Sequence, residues 1–482
     1  MSLEKIVDIA KRRGIIFPSS EIYGGLAGFF DFGPVGLRIK KKVEESWREF
    51  FIKSVDNIYE VQTSLVMPEA VWEASGHTKD FIDPLVSCKK CNSVYRADDL
   101  IQEITGKSVE ALKPEELFKM LKKENVVCPK CKYFAWSDIK IFHLMLKTQV
   151  GPTEGNIAYL RPETAQGIFV NFKNILNSTR AKLPFGIAQI GTSYRNEISP
   201  RHFIMRLREF NQMEIEMFFD PNEKDFDFEK FAKTKLKIVK RDGKVVEITA
   251  EEAVKKEIIP TKWQAYFMAK EAEWYQKIGI PKEKIHFRHM KLEETPHYSM
   301  GNFDLEIEFD FGWKEVVGNA YRTDFDLGTH AKHAKTDMSF VADDGKKFIP
   351  HVVEPSFGID RTIYAILLHS FRDGKDRGWE FFSFPKEIAP FAAAVYPLVS
   401  KDKLPEKAKV VFEMLKKEFA VFYDESGSIG KRYARADEIG TPFAITIDYD
   451  TLKDDSVTVR SRDTKKQVRV KIKKLAEFLK EN

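Results

Sequence analysis

The stretch Tyr194–Phe219, YRNEISPRHFIMRLREFNQMEIEMFF, decides which fold this sequence predicts. Its second half alternates between apolar and polar side chains, and a period of two is the pattern of a β-strand. One face of that strand carries Leu207, Met213, Ile215 and Met217, and the other carries Arg206, Phe210, Glu214 and Glu216. The first half is predicted to be a second strand, with Arg195 and Glu197 on one face. The stretch therefore predicts an antiparallel hairpin joined by a polar turn.

The polar face of the predicted hairpin allows two interpretations. It could simply be solvated, as one face of an antiparallel sheet commonly is. The order of the residues favours a binding surface instead, because Arg-x-Glu, a loop, and then Arg-x-x-x-Phe-x-x-x-Glu follow one another. Such a face offers a guanidinium for a phosphate, an aromatic ring for a base and a carboxylate for an ammonium group.

These positions resemble motif 2 of the class II aminoacyl-tRNA synthetases, and the match is carried by Arg195, Glu197, Arg206, Phe210 and Glu214. Longer segments are similar to the glycyl-tRNA synthetases of the dimeric archaeal and eukaryotic type: RPETAQGIF (Arg161–Phe169), RNEISPR (Arg195–Arg201) and VVEPSFGIDR (Val352–Arg361). The last segment resembles motif 3, where Ser356 departs from the glycine of many class II enzymes and agrees with the glycyl family. The resemblance extends from about Ile15 to the C-terminus.

The resemblance implies an α+β fold, in which a class II antiparallel sheet core carries two insertions and precedes a C-terminal mixed α/β anticodon-binding domain. Three segments are assigned to the core: residues 1–86 with motif 1, 149–220 with motif 2 and 299–384 with motif 3. Insertion 1 spans 87–148 and contains the cysteines. Insertion 2 spans 221–298 and is expected to contact the acceptor end of tRNA. The anticodon-binding domain spans 385–482.

Periodicity adds the main elements of these segments. Motif 1 is predicted as a helix at 36–54 followed by a strand at 59–65, although a plain surface helix would show the same pattern. By resemblance, that element forms the interface of a homodimer. In the C-terminal part, strands at 391–399, 420–423 and 443–448 alternate with helices at 405–418 and 433–439, which is a βαβ rhythm. A hairpin at 457–470 carries basic residues that could also be a solvated edge.

The resemblance also assigns residues to the substrates. ATP is expected to contact Arg195, Asn196, Glu197, Arg206, Leu207, Phe210, Glu315, Val316 and Arg361. Arg195 and Arg361 are the catalytic candidates. In this family's reaction the glycine carboxylate itself attacks the α-phosphate, so the protein needs only to position the substrates and neutralise charge.

Glycine is expected to contact Arg96, Glu163, Glu214, Glu354, Pro355 and Ser356. Since glycine has no side chain to hold, carboxylates around its ammonium group are a reasonable means of binding. Selectivity then depends on the exclusion of a methyl group. Glu163 has an alternative interpretation, because an acidic residue beside Pro162 could simply complement the dipole of a helix that starts there.

The four cysteines of the chain form two Cys-x-x-Cys pairs, Cys88 with Cys91 and Cys128 with Cys131. Two such pairs can close a tetrahedral thiolate site, so we predict a structural Zn²⁺. Unmetallated thiols and a redox function are the alternatives. Four protein ligands leave no open position on the metal, so we assign no chemistry to this site.

A row of acidic residues follows period two in the predicted strand that begins at Asn302: Asp304, Glu306, Glu308 and Asp310. The row could be a solvated edge, or some of its members could hold Mg²⁺ with the ATP phosphates. Three nearby histidines, His286, His289 and His297, have spacings that fit no standard metal site.

Composition limits the remaining possibilities. The chain of 482 residues is 43% hydrophobic and contains no run of 18 apolar residues, so no membrane span is predicted. The N-terminus, MSLEKIVDIAKRRGI, is charged too early for a secretory signal, which predicts a cytoplasmic protein. A net charge of +5 is too small to indicate nucleic-acid binding by itself.

The resemblance implies an enzyme that joins glycine and ATP into glycyl-adenylate, with Mg²⁺ on the phosphates, and then transfers glycine to tRNA(Gly). One alternative is a class II synthetase for another amino acid, which a larger apolar pocket would indicate. A second is a non-catalytic, synthetase-like subunit that binds nucleic acid. Such a subunit is expected to lose the motif arginines, but Arg195, Arg206 and Arg361 are all present.

Overall fold

The computed structural model describes residues 3–107, 109, 112–152, 155–222, 226, 228–292 and 299–481. The helices are α1 (Leu3–Arg12), α2 (Pro34–Trp47), α3 (Glu69–Ala74), α4 (His77–Asp80), α5 (Ala97–Thr105), α6 (Pro114–Lys123), α7 (Ala165–Thr179), α8 (Glu229–Ala232), α9 (Ala250–Lys255), α10 (Lys262–Lys277), α11 (Phe325–Ala334), α12 (Ile359–Ser370), α13 (Leu404–Leu415), α14 (Ile429–Glu438), α15 (Thr451–Asp454) and α16 (Leu475–Glu481).

The strands of the first half are β1 (Ile16–Pro18), β2 (Phe30–Phe32), β3 (Ile58–Glu60), β4 (Val66–Pro68), β5 (Ile82–Ser87), β6 (Val94–Arg96), β7 (Lys140–His143), β8 (Leu146–Gln149), β9 (Ile157–Leu160), β10 (Phe185–Tyr194), β11 (Glu209–Phe219), β12 (Lys235–Val239) and β13 (Val245–Thr249). Those of the second half are β14 (Ile285–His289), β15 (Asn302–Phe309), β16 (Gly312–Thr323), β17 (Phe340–Val341), β18 (Lys347–Phe348), β19 (His351–Gly358), β20 (Phe371–Arg372), β21 (Phe381–Phe382), β22 (Ala393–Pro397), β23 (Val421–Tyr423), β24 (Phe443–Ile447), β25 (Ser456–Ser461) and β26 (Gln467–Lys471).

A nine-stranded sheet forms the centre of the structure, in the order β13-β12-β14-β15-β16-β19-β11-β10-β3. Its neighbouring strands are antiparallel except for the pairs β12/β14 and β10/β3. The predicted antiparallel core is therefore confirmed, and a parallel doubly wound nucleotide-binding sheet is excluded.

The decisive stretch contributes β11 but only the last residue of β10. The two strands pair antiparallel from Phe185–Phe218 to Tyr194–Glu209. The prediction of a strand across the first half was wrong. The chain leaves the sheet after Tyr194, passes through Pro200, which has no N–H to donate, and turns at His202 and Phe203 with positive φ.

Both faces of β11 are covered. Met213, Ile215 and Met217 are at most 1% exposed on the apolar face, as predicted. Glu214 and Glu216 on the other face are 1% and 0% exposed, so the interpretation of a solvated face was wrong.

The motif 1 helix is confirmed as α2, which continues as a π-helical turn from Arg48 to Ile52. Trp47 is fully buried and packs edge-on against Phe357 of β19. The predicted strand at 59–65 is shorter than expected and consists of β3 alone. Beyond it, the carbonyl oxygen of Thr63 accepts a hydrogen bond from the Arg161 side chain rather than from a neighbouring strand.

The two insertions are built differently. Around the predicted insertion 1, the sheet β6-β5-β7 and helices α5 and α6 enclose a separate hydrophobic cluster that includes Val86, Leu100 and Leu121, and β5 begins five residues before the predicted start at residue 87. In insertion 2, β12, β13 and β14 instead extend the central sheet, and α10 is buried along most of its length against the core.

The C-terminal part has its own mixed sheet, β23-β22-β24-β25-β26, with β22 parallel to both of its neighbours. This confirms the predicted mixed α/β domain. Arg460 and Arg462 of the predicted basic hairpin are 5% and 3% exposed and pair with Asp437 and Asp463, so they serve packing rather than a solvated edge. Within the ranges given above, no helix combines the length and the apolar character needed to cross a membrane.

Gly36 tests the packing of α2. A Cβ at this position would lie 1.8 Å from the backbone oxygen of Ile15, so Gly36→Ala must push the helix away from the preceding segment. We expect this substitution to lower the free energy of unfolding by about 1–3 kcal/mol, seen as a lower melting temperature. The control is Gly328→Ala in α11, where a Cβ meets nothing within 4 Å and alanine favours the helix. Equal melting temperatures for Gly36→Ala and wild type would contradict the close approach.

Candidate active site

A cleft of about 1030 Å³ lies over the face formed by β11, β15, β16 and β19, and a smaller cavity of about 130 Å³ adjoins it. Thirteen of the residues predicted to contact substrates line one or both: Arg96, Glu163, Arg195, Glu197, Arg206, Leu207, Phe210, Glu214, Glu315, Val316, Glu354, Ser356 and Arg361. Asn196 and Pro355 do not. The backbone N–H of Asn196 donates to Leu144, and Pro355 is buried in β19.

The smaller cavity is lined by three arginines, three carboxylates and one aromatic ring. Arg195 leaves the end of β10, and its guanidinium lies over the Phe210 ring, 5.2 Å from the centroid. Its Nε donates to the carbonyl oxygen of Pro162 at 3.1 Å, and no carboxylate of the described chain lies within 4 Å of it. Arg361 extends from the first turn of α12 and pairs with Glu315 at 3.0 Å. These two arginines can therefore receive an anion beside an aromatic ring.

Arg206 is held by carboxylates from two segments. Its Nη2 lies 2.7 Å from Glu197, and its Nη1 lies 2.6 Å from Asp99 at the start of α5 in insertion 1. Asp99 also pairs with Arg201 at 3.0 Å, and Glu103 binds the other end of that guanidinium. Insertion 1 thus closes over the 195–208 loop through an ion-pair network, which we call the Asp99 clamp.

The large cleft also contains a set of carboxylates that the small cavity lacks. The register of the sheet brings Glu214 of β11 opposite Ser356 of β19. One carboxylate oxygen of Glu214 accepts from the Ser356 hydroxyl at 2.6 Å, and the other accepts from the backbone N–H of Thr164 at 2.9 Å and from its hydroxyl. Burial and the nearby Glu163 raise the pKa of Glu214 above its ordinary value.

Arg322 of β16 is the buried cation among these carboxylates. It pairs with Asp326 at 2.7 Å and with Glu354 at 2.9 Å, and it lies 4.0 Å from Glu163. Burial raises the pKa of Glu354 to about 7, although Arg322 opposes the rise. Glu163 differs, because the neighbouring His77 and Arg322 outweigh its burial and hold its pKa well below the ordinary value.

Glu216 lies beneath this set on the same face of β11. Neither of its carboxylate oxygens has a hydrogen-bond partner in the described part of the chain. Burial and the adjacent Glu354 raise its pKa well above the ordinary value.

The acidic row on β15 is not a solvated edge. Asp304 and Glu306 are 5% and 9% exposed, and Arg288 pairs with them at 2.7 and 3.0 Å. Glu308 pairs with Lys284, whereas Asp310 follows the end of the strand and is exposed. The histidines serve packing: His286 stacks on Trp313 and His289 on Phe303, and His297 lies outside the described residues.

The four cysteines come together in insertion 1, away from the cleft. Their sulfur atoms lie within 4.8 Å of one another, with contacts of 3.5 Å between Cys88 and Cys131 and 3.6 Å between Cys91 and Cys128. Both pairs form the same turn. The N–H of Asn92 donates to Cys88 and that of Lys132 donates to Cys128, each at 2.8 Å. A tetrahedral ion with Zn–S bonds of about 2.3 Å separates its sulfurs by roughly 3.8 Å, so this donor set fits zinc.

Sequence reasoning missed His77 and Asp99 as neighbours of the site. Both precede the decisive stretch by about a hundred residues or more, and neither belongs to a motif that periodicity reveals. Thr164 also had no assigned role, yet its backbone N–H and its hydroxyl both donate to Glu214. Only the tertiary contacts identify these residues.

Comparison with known proteins adds two domain matches and several relatives. The tRNA synthetase class II core domain (G, H, P, S and T) matches residues 150–370, and the anticodon binding domain matches residues 392–482. The glycine–tRNA ligase of Pyrococcus furiosus is 41% identical to this chain, over 99% of this chain and 98% of its own length. The enzyme of Clostridium kluyveri is 42% identical, over 100% of this chain and 98% of its own length. The enzyme of Methanocaldococcus jannaschii is 40% identical, over 99% of this chain and 98% of its own length.

Asp99→Asn tests the clamp between insertion 1 and the 195–208 loop. The substitution removes a charge that pairs with Arg201 and Arg206 and lies 4.0 Å from Arg96, so α5 should open more often and its amides should exchange severalfold faster with deuterium. Hydrogen exchange followed by mass spectrometry of peptides that cover 97–105 measures this. Glu115→Gln, at an exposed position of α6, is the matched control and should leave the exchange unchanged. Exchange at the wild-type rate in Asp99→Asn would show that the clamp does not hold the insertion.

Proposed function

The chain belongs to the glycine–tRNA ligase family of class II tRNA synthetases, and we propose that it activates glycine with ATP and transfers the glycyl group to the 3′ end of tRNA(Gly). One observation carries this proposal. The cleft has arginines and an aromatic ring at one end, and three buried carboxylates that line only its larger part. ATP brings a base and a polyanion, and glycine brings an ammonium group, so the two ends complement the two substrates.

Arg195 and Arg361 are the residues that we assign to the phosphates of ATP. Neither is fully buried, and Arg195 has no competing carboxylate within 4 Å among the described residues. The Phe210 ring is the partner for adenine, with Glu197 for its amino group and Arg206 for the terminal phosphates. Binding at both arginines would strengthen as charge develops on the α-phosphate in the transition state, which is how they would accelerate the reaction.

Glu163, Glu214 and Glu354 are assigned to the ammonium group of glycine, with Ser356 beside them. Burial strengthens contacts between these carboxylates and an ammonium group. It also destabilises their charged forms when no cation is bound, which agrees with the raised pKa values of Glu214 and Glu354. Arg96, on β6 of insertion 1, lines the same cleft and is assigned to the carboxylate end of glycine. A rigid floor of sheet residues supports selectivity, because discrimination against alanine requires exclusion of a single methyl group.

The first step forms a bond between a carboxylate oxygen of glycine and the α-phosphorus, and breaks the bond from that phosphorus to the oxygen of the β-phosphate. Pyrophosphate leaves, and glycyl-adenylate remains. In the second step, a hydroxyl of the terminal ribose attacks the glycyl carbonyl carbon, AMP leaves with the bonding electrons, and the hydroxyl proton passes to the departing phosphate or to water. The side chains would act by positioning and by charge, since neither step needs a protein nucleophile.

Two metals follow from this proposal. Mg²⁺ would arrive with ATP, and Glu315 and Asp304 would hold it, where it would neutralise phosphate charge. Burial is the main cause that raises the pKa of Asp304, and the nearby carboxylate of Glu315 is the second. Hard cations such as Mg²⁺ prefer pairs of oxygen ligands of this kind. Zn²⁺ would be held by Cys88, Cys91, Cys128 and Cys131, where it would fix the fold of insertion 1.

The remaining parts of the chain are assigned to tRNA and to a second subunit. The match to an anticodon binding domain supports contact of residues 392–482 with the anticodon. A homodimer through motif 1 is supported by Leu37, Leu65 and Val66, which are apolar and 39–43% exposed. Acceptor-end contacts by insertion 2 and a cytoplasmic location complete the proposal.

An amino-acid panel in ATP–pyrophosphate exchange tests the function. Glycine should support exchange, and alanine and serine should support little. Transfer of glycine to tRNA(Gly) should follow in an aminoacylation assay. Exchange driven by a different amino acid would assign the chain to another specificity, and no exchange with any amino acid would favour a non-catalytic role.

Glu214→Gln separates the two ends of the cleft. The substitution keeps the shape of the side chain but removes its charge, so it should raise the KM for glycine about ten- to a hundredfold, since such a bond contributes about 1.5–3 kcal/mol. The KM for ATP should change little, because Glu214 does not line the smaller cavity. Pyrophosphate exchange with each substrate titrated separately measures both constants. An unchanged KM for glycine would remove Glu214 from the substrate site.

Elemental analysis tests the zinc site. Protein from zinc-replete cells should contain one zinc per chain, and the double variant Cys88→Ser with Cys128→Ser should contain none and melt at a lower temperature. Wild-type protein that contains no zinc without exposure to chelators would exclude the site.

A further inference from the structure

His77 lies against Glu163, outside every motif that the sequence resemblance covers. Its Nε2 lies 3.3 Å from Oε2 of Glu163, and its Nδ1 lies 2.8 Å from the hydroxyl oxygen of Ser75. We propose that His77 is a positioning residue for glycine: it orients the Glu163 carboxylate and keeps it ready for the ammonium group. This inference rests on the proposed function, in which Glu163 binds glycine.

The direction of the contact follows from the chemistry of the two groups. An ionised carboxylate can only accept hydrogen bonds, so Nε2 of His77 must carry a proton where it faces Glu163. The Ser75 hydroxyl also lies 3.3 Å from the carbonyl oxygen of Trp72, so it can donate there and accept from Nδ1 of a charged His77, or turn its one proton to Nδ1 of a neutral His77. In both forms His77 gives Glu163 a donor, and the charged form also gives it a counter-charge.

The imidazole ring has little freedom to turn away. It is 9% exposed and lies between Trp72, edge-on at 5.4 Å, and Phe81 at 5.3 Å. The second oxygen of Glu163 accepts from Gln166 at 3.0 Å, so each carboxylate oxygen has its own partner. Among the three carboxylates assigned to glycine, Glu163 is also the one whose pKa is lowered, whereas those of Glu214 and Glu354 are raised.

Two other functions for His77 fit less well. Ser75, His77 and Glu163 have the residue types of an acyl-transfer triad, but Ser75 is 4% exposed and does not line the cleft, so it cannot reach a substrate. A purely structural histidine would need no contact with a residue of the cleft. The placement of Nε2 against Glu163 therefore favours a part in glycine binding.

Pyrophosphate exchange with four variants tests the proposal: His77→Ala, His77→Gln, Glu163→Gln and His333→Ala. His77→Ala should raise the KM for glycine about tenfold and leave the KM for ATP within about twofold, because the contact of Nε2 with the charged Glu163 is lost. His77→Gln keeps a donor that can reach Glu163 and should restore most of the affinity. His333, exposed on α11, is the control and should behave as wild type.

The variants also separate this inference from the proposed function. If Glu163→Gln weakens glycine binding and His77→Ala does not, His77 has no positioning role, and the proposed function stands. If Glu163→Gln leaves the KM for glycine unchanged, the assignment of Glu163 is wrong, and this inference falls with it. Melting curves identify misfolding, and a parallel rise in both KM values for folded His77→Ala and His77→Gln would show a structural role and overturn the proposal.

Discussion

One buried guanidinium makes the carboxylate end of the cleft possible. Arg322 is 1% exposed, and it pairs with Asp326 and Glu354 while lying 4.0 Å from Glu163. Carboxylates without a cation could not remain charged in this position, because burial would force them to take up protons. Since the acidic groups still outnumber the arginine, the cleft keeps a deficit of positive charge, which an ammonium group can fill.

The central sheet fixes the positions of these charged groups. Adjacent registers bring Glu214 opposite Ser356 and Glu354 opposite Ala320, so three strands contribute to one floor. The phosphate-binding candidates stand on different supports: Arg361 on the first turn of α12, and Arg195 and Arg206 on the loop that the Asp99 clamp holds. The residues proposed for glycine thus stand on the sheet, and those proposed for ATP stand on a helix turn and a loop.

Much of the fold and part of the candidate site could be predicted from the sequence. Period two identified β11 and placed Glu214 and Phe210 on one face, because the alternation of side chains is a local property. The succession of strands and helices predicted the mixed sheet of the C-terminal part. Prediction from period two failed where tertiary contacts determine the structure. The strand assigned to the residues after Tyr194 is a loop. The polar face of β11 is buried by residues that are distant in the sequence. Asn196 and Pro355 followed the motif but do not line the cleft, whereas His77 and Asp99 had no local signal at all.

We propose that the anionic end of the cleft recognises the ammonium group of glycine. Titration calorimetry of glycine and of glycolate, in which a hydroxyl replaces the ammonium group, tests it most directly on the wild-type protein with a non-hydrolysable ATP analogue present. Glycine should bind and glycolate should bind at least a hundredfold more weakly, because two or more charge-assisted bonds are lost, each of about 1.5–3 kcal/mol. Equal affinities for the two ligands would contradict the account.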